Sequence, residues 1–155
     1  MTNHSSPTAS SFEEGRPEDA RVIRIVRFRA SHHYRNAAWS DEENLLVFGL
    51  QTRPHEHDWT IEAHVVGPID PDTGWAVDLT ALDDALASVT HRWDGGDLNQ
   101  LVPEDPGGST LPSTEILARW LFRALAPRVP APARLERVRV AESPELAAEY
   151  PAWRP

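Results

Sequence analysis

Arg21-Val22-Ile23-Arg24-Ile25-Val26-Arg27-Phe28-Arg29-Ala30-Ser31-His32-His33 alternates apolar and polar residues along its length. A period of two carried by β-branched residues predicts a strand from Val22 to His33, with the Arg side chains on its solvated face. The same alternation from His57 to Val66, through Trp59, Ile61, Ala63 and Val65, predicts a second strand. His55-Glu56-His57 stands at its start. Residues two apart in a strand share a face, so His55 and His57 project together, and His32 on a neighbouring strand can close a triangle of imidazoles. Three neutral imidazoles with a fourth position left open are the donor set of a catalytic zinc ion. Seven histidines in 155 residues also give chance pairs, and an isolated H-x-H is common on surfaces. Spacing alone leaves both readings open.

Composition narrows the chemistry. The chain contains no Cys and no Lys, and all fifteen basic residues are Arg. Disulfides, thiolate ligands, a cysteine nucleophile and lysine Schiff bases are excluded, so chemistry falls to a metal, His, Asp, Glu, Tyr or Arg. A net charge of −9 disfavours a nucleic-acid partner by simple repulsion. No stretch approaches a membrane span. Met1–Ala20, rich in Ser, Pro, Glu and Gly and lacking an apolar core, reads as a flexible tail rather than a signal peptide, and a cytoplasmic location is expected. Residues 21–155 are expected to form one domain.

Between the two strands, Ser40–Gly49 and Thr52–Pro54 show no strong period and read as a long functional loop. Leu79, Leu82, Leu86, Val89 and Trp93 recur at helical spacing, and Gly95-Gly96 is expected to end that helix. Pro112-Ser113-Thr114-Glu115 caps a second helix whose stripe is Ile116, Leu117, Trp120, Leu121, Ala124 and Leu125, ended by Pro127, Pro130 and Pro132. Leu135–Glu142 and Ala147–Trp153 complete an α+β order, ββααββ.

Four blocks taken in order resemble one family, the 6-pyruvoyl-tetrahydropterin and 6-carboxy-tetrahydropterin synthases of the tunnelling fold. They are Phe28-Arg29-Ala30-Ser31-His32; Glu43-Asn44 with Phe48-Gly49 and His55-Glu56-His57; Asp94 with Asp97-Leu98-Asn99; and Pro112-Ser113-Thr114-Glu115 with Val140-Ala141-Glu142. The resemblance implies a four-stranded antiparallel sheet with two helices per subunit, three subunits closing a β-barrel, and two trimers stacking into a homohexamer. It implies zinc on His32, His55 and His57, and a small-molecule substrate whose amino-pyrimidine ring is anchored by Glu142, with Gln51 and Thr114 also facing it. His33 is the rival first ligand, but as the neighbour of His32 it points to the opposite sheet face.

The departures from the family pattern bear on the reaction. Gln51 falls where a catalytic Cys is expected, and Asp94-Gly95 falls where an Asp-His pair is expected. Neither Gln nor Gly transfers protons near neutral pH. Glu56, in place of a glycine, is expected to face away from the metal and pair with an Arg. His33, Tyr34, His91 and Asp94 remain as groups able to move protons, with His91 read on the same helix face as Asp94. His91 and Asp94 are the expected catalytic pair. The expectation is an atypical zinc-dependent lyase or cyclase of specialised metabolism acting on a pterin-like or other heterocyclic substrate. The alternatives are a non-catalytic zinc-containing ligand-binding relative and a pterin synthase using a displaced base.

Overall fold

The computed structural model describes residues 18–103 and 111–152. It is an α+β fold built on one antiparallel sheet in the order β1-β2-β3-β4, formed by Asp19–His32, His55–Pro68, Arg134–Ser143 and Leu146–Tyr150. The long β1/β2 ribbon runs in unbroken register from Asp19↔Pro68 to His32↔His55. Strand alternation puts Phe28, Ala30, Trp59, Ile61, Ala63 and Val65 on one buried face, and Val138 and Val140 continue it on β3.

Helices α2 (Leu79–Thr90) and α4 (Thr114–Leu125) cover that face. Helix α4 begins where Ser113 accepts a hydrogen bond from the Ile116 N–H, and it buries Leu117, Ala118, Leu121 and Leu125 at i, i+1, i+4 and i+8. Each such leucine is fully enclosed, so truncating Leu121 to Ala costs about 2–5 kcal/mol. Two further helices, α1 (Asp41–Phe48) and the one-turn α3 (Leu98–Leu101), were not foreseen.

Helix α1 has no buried apolar stripe: Leu45, Leu46 and Val47 are all exposed. A capping box holds it instead, with Ser40 and Glu43 exchanging side-chain and backbone bonds, together with fully buried Asn44, whose amide donates to the carbonyls of Asn36, Trp39 and Ser40.

Other boundaries also differ from expectation. β1 begins at Asp19, inside the segment read as a tail, and residues 1–17 of that segment lie outside the described residues. Helix α2 stops at Thr90, capped by His91, not at Gly95-Gly96. Trp93 is buried from the following turn, where helical spacing continues by coincidence. His91 and Asp94 therefore do not share a helix face. β4 ends at Tyr150, and residues 153–155 lie outside the described residues. Among the described residues no helix is long and apolar enough to cross a membrane.

Candidate metal centre

The end of the β1/β2 ribbon that residues 33–54 connect gathers three imidazoles. His32 pairs directly with His55, and Ala30 pairs with His57, so strand alternation turns all three side chains to the face that carries Trp59. Ring centroids are 4.5 Å apart for His32–His55, 5.1 Å for His32–His57 and 5.0 Å for His55–His57. One ligand nitrogen from each lies within 4.8 Å of the others. Trp59 forms the floor, 4.9 Å from His32 and 5.6 Å from His57 between ring centres, its indole N–H fixed to the Ala30 carbonyl at 3.1 Å.

The outer ring nitrogens are committed elsewhere. His32 Nδ1 bonds the Pro112 carbonyl at 2.9 Å and His55 Nδ1 bonds the Arg53 carbonyl at 2.7 Å. A carbonyl only accepts, so both Nδ1 atoms carry the proton and both Nε2 atoms keep a lone pair. The Nε2 atoms of His32, His55 and His57 are buried, and none has a hydrogen-bond partner. Burial, with further repulsion from the neighbouring histidines, lowers the His32 pKa to about 4 despite the opposing bond to Pro112.

Buried polar atoms left unmatched are costly, and three imidazole nitrogens within reach of one another, without other partners, suit a divalent cation. The residues present could therefore hold a metal ion. His33, the residue after β1, is not among the grouped histidines, and its backbone N–H and C=O are both held by the Asn99 side chain at 2.8 and 3.0 Å.

Glu142, at the end of β3, reaches the same space. Its Oε2 lies 3.9 Å from His32 Nε2, and it too is buried without a hydrogen-bond partner. Thr114, at the start of α4, is buried, and its hydroxyl donates to Glu115 at 3.1 Å. Gln51 has an exposed side chain, and its carbonyl accepts the Tyr34 N–H at 2.8 Å.

Glu56 points outward and pairs with Arg29 at 3.1 Å, as its alternation requires. Sequence reasoning missed Trp59 as the floor and the part played by the Pro112 and Arg53 carbonyls. Trp59 was detectable, because it continues the inward series His55, His57.

Asp94 and His91 lie elsewhere. Both are exposed and line a shallow groove of about 340 Å³ beside β1, with Arg24, Asp83 and Thr90. Asp94 Oδ1 accepts the Arg29 N–H at 3.0 Å, Gly95 N–H donates to the Arg29 carbonyl at 2.7 Å, and Ser31 N–H donates to the Gly96 carbonyl at 2.9 Å. Within one chain this segment zips onto the outer edge of β1. Gly95 has φ +72°, a left-handed conformation in which a side chain would be strained.

A profile of the family described as 6-pyruvoyl tetrahydropterin synthase matches residues 21–152. A 6-pyruvoyl tetrahydrobiopterin synthase of Drosophila melanogaster is 32% identical over 132 residues, covering 83% of this chain and 77% of that protein. One from Poecilia reticulata is 33% identical over 113 residues, covering 71% and 76%. The solved structure of Caenorhabditis elegans 6-pyruvoyl tetrahydropterin synthase superimposes with a TM-score of 0.75 at 25% identity, covering 85% of this chain and 94% of that one.

Proposed function

The chain belongs to the 6-pyruvoyl tetrahydropterin synthase family, and we propose that it is an atypical zinc-dependent lyase or cyclase acting on a small pterin-like heterocycle. The observation that carries this reading is the convergence of four buried, unpartnered polar atoms: three imidazole Nε2 atoms and Glu142 Oε2. His32, His55 and His57 would hold the metal, which when bound supplies Lewis-acid polarisation of a substrate carbonyl or hydroxyl.

Glu142 is an acceptor-only carboxylate facing that space, suited to take two N–H bonds from an amino-pyrimidine edge. Thr114, the first residue of α4, has its hydroxyl bonded to Glu115, and Gln51 is exposed with its carbonyl on the Tyr34 N–H. As part of this reading, the outer edge of β1 ahead of Arg29, beyond the stretch that residues 94–96 cover, and that of β4 suit closure of the sheet into a trimeric barrel, with two trimers making a homohexamer. In such an assembly Asp94 and His91 would have to serve a neighbouring subunit's site to act in catalysis.

A second reading, a ligand-binding relative without turnover, is favoured by one feature: Gln51 and Gly95 stand where the family pattern has proton-transfer groups. Each such group typically contributes about 10²- to 10⁴-fold in rate. Assay of the zinc-loaded protein on dihydroneopterin triphosphate separates the readings. The first expects turnover on this substrate well below the family's usual rate, lost in Glu142→Gln, with turnover on a related heterocycle. Binding without turnover on any pterin-like compound tested would establish the second instead.

A further inference from the structure

The end of the β1/β2 ribbon away from the histidines carries a groove that the metal centre does not use. Its volume is about 530 Å³, and its lining includes Ile69, Trp75 and four prolines, Pro68, Pro71, Pro130 and Pro132. Trp75 and Ile69 are 55% and 52% exposed, so two large apolar side chains meet solvent side by side in one groove. The loop that carries them is held tightly. Asp70 Oδ1 accepts the N–H groups of Asp72 and Thr73, the Asp70 N–H donates to the Trp75 carbonyl at 2.9 Å, and the Gly74 N–H returns to the Asp70 carbonyl at 2.8 Å. A Cβ on Gly67 would meet the Ala76 carbonyl oxygen at 2.6 Å and the Ala133 side chain at 3.0 Å, so both walls press on the end of β2. The groove is therefore preformed, and its indole is presented before anything binds.

β1 starts at this groove, because Asp19 pairs with Pro68. The sequence that runs into the strand is Ser10-Ser11-Phe12-Glu13-Glu14-Gly15-Arg16-Pro17, in which Phe12 is the one Phe, Tyr or Trp ahead of β1 and Arg16 the one Arg. Pro17 has no N–H with which to continue the ladder on β2. Six residues separate Phe12 from Glu18, an extended reach of about 20 Å. Asp70 and Asp78 stand on the lining, and among the described residues none that lines it is basic. An aromatic ring and a cation are what such a groove accommodates best. We infer that it seats the chain's own segment 10–17, with Phe12 packed on the Trp75 indole between the prolines and Arg16 against Asp70. Glu13 and Glu14 then stay in solvent, away from the acidic lining. Tethering at Asp19 gives the segment an effective concentration on the order of millimolar, which any free partner has to outcompete.

The test is cleavage of the full chain by a glutamate-specific protease after Glu13 and Glu14, followed by mass spectrometry. Docking withholds these bonds, so cleavage tracks the undocked fraction. Each rate is divided by that of a free peptide of residues 9–18 with the same residue at position 12, which removes the protease's own preference. Phe12→Ala and Trp75→Ala should each quicken cleavage about three- to tenfold, which is what one buried ring leaves after the segment's ordering is set against it. The double variant should be no faster than either single one, because both remove the same contact. Phe12 lies ahead of the sheet, so its variant reads the docking even where Trp75→Ala loosens the loop.

An unchanged rate in Phe12→Ala would overturn the inference and leave the groove to another partner. Quickening by Phe12→Ala with none by Trp75→Ala, or a double variant whose effect is the product of the two single ones, would overturn it by placing the segment elsewhere. Wild-type cleavage that quickens on dilution would assign the groove to the segment of a second copy, against docking within one chain.

Discussion

Two segments touch the same strand. The end of the β1/β2 ribbon holds His32, His55 and His57, and the turn 91–99 zips onto the outer edge of β1. Each carries residues that catalyse reactions in many enzymes, yet their polar atoms are in opposite states. At the ribbon end, three Nε2 atoms and one carboxylate oxygen are buried and unmatched. Along the turn, Asp94 accepts a backbone N–H, and Asn99 holds both backbone groups of His33. An unmatched buried donor set is stabilised by what binds to it, whereas a matched one already contributes its energy to the fold. Within one subunit the first segment is read as the site and the second as its support.

The largest predicted contrast concerns metal. Binding to the native state alone stabilises it by about 4 kcal/mol at a thousandfold excess over Kd. Chelation should therefore lower the thermal midpoint by many degrees, reversibly on adding zinc, and the shift should vanish in His55→Ala but persist in Asp94→Ala. Calorimetry with and without chelator would check this, and a metal-dependent shift of wild-type size in His55→Ala would erase the contrast.

The next effect is pH dependence of the metal-free protein. Burial holds His32 at about 4 in the folded protein against 6.5 for an ordinary histidine, so between these the unfolded state binds more protons. Stability rises with pH across that window; going down from about 6.5 to about 4 should remove about 3 kcal/mol, at about 1.4 kcal/mol per unit. Urea titrations from pH 7 to 4 should show this slope in wild type and a flatter one in His32→Gln.

A smaller effect follows from the support. Asn99→Ala removes two bonds to the His33 peptide and should cost about 1–3 kcal/mol, and Asp94→Ala, losing one exposed bond, about 0.5–1.5 kcal/mol. Denaturant midpoints would measure both. A cost for Asp94→Ala above that of Asn99→Ala would invert the proposed order.

The smallest effect is at His91, exposed at the α2 C-cap with its ring bonded to its own helix at the Ala87 carbonyl. His91→Ala should shift stability by no more than about 0.5 kcal/mol and leave metal content unchanged. A larger shift would show that His91 belongs to the site of another subunit.

How much of this was legible in the sequence depends on how local the signal is. The period-two runs in β1 and β2 determine which face each side chain takes, so the inward turn of His32, His55 and His57 and the outward turn of Glu56 could be read directly. The stripe of α4 was equally plain. Helix α1 was not, because its stability comes from the Ser40–Glu43 capping box and buried Asn44, while its apolar residues face outward. The S-x-x-E spacing was the signal available. The His91–Asp94 stretch misled because Trp93 falls at helical spacing from Val89 although the helix has ended at Thr90.

The orphaned nitrogens of His32 and His55 become visible only once the Pro112 and Arg53 carbonyls have claimed the other ring atoms.

Metal content per chain, measured by mass spectrometry on wild type and on His32→Ala, His55→Ala, His57→Ala and His33→Ala purified alike, tests the three-histidine centre most directly. About one zinc equivalent is predicted for wild type and for His33→Ala, and near-complete loss for the other three. Full zinc in His55→Ala and His57→Ala, or loss confined to His33→Ala, would contradict the site.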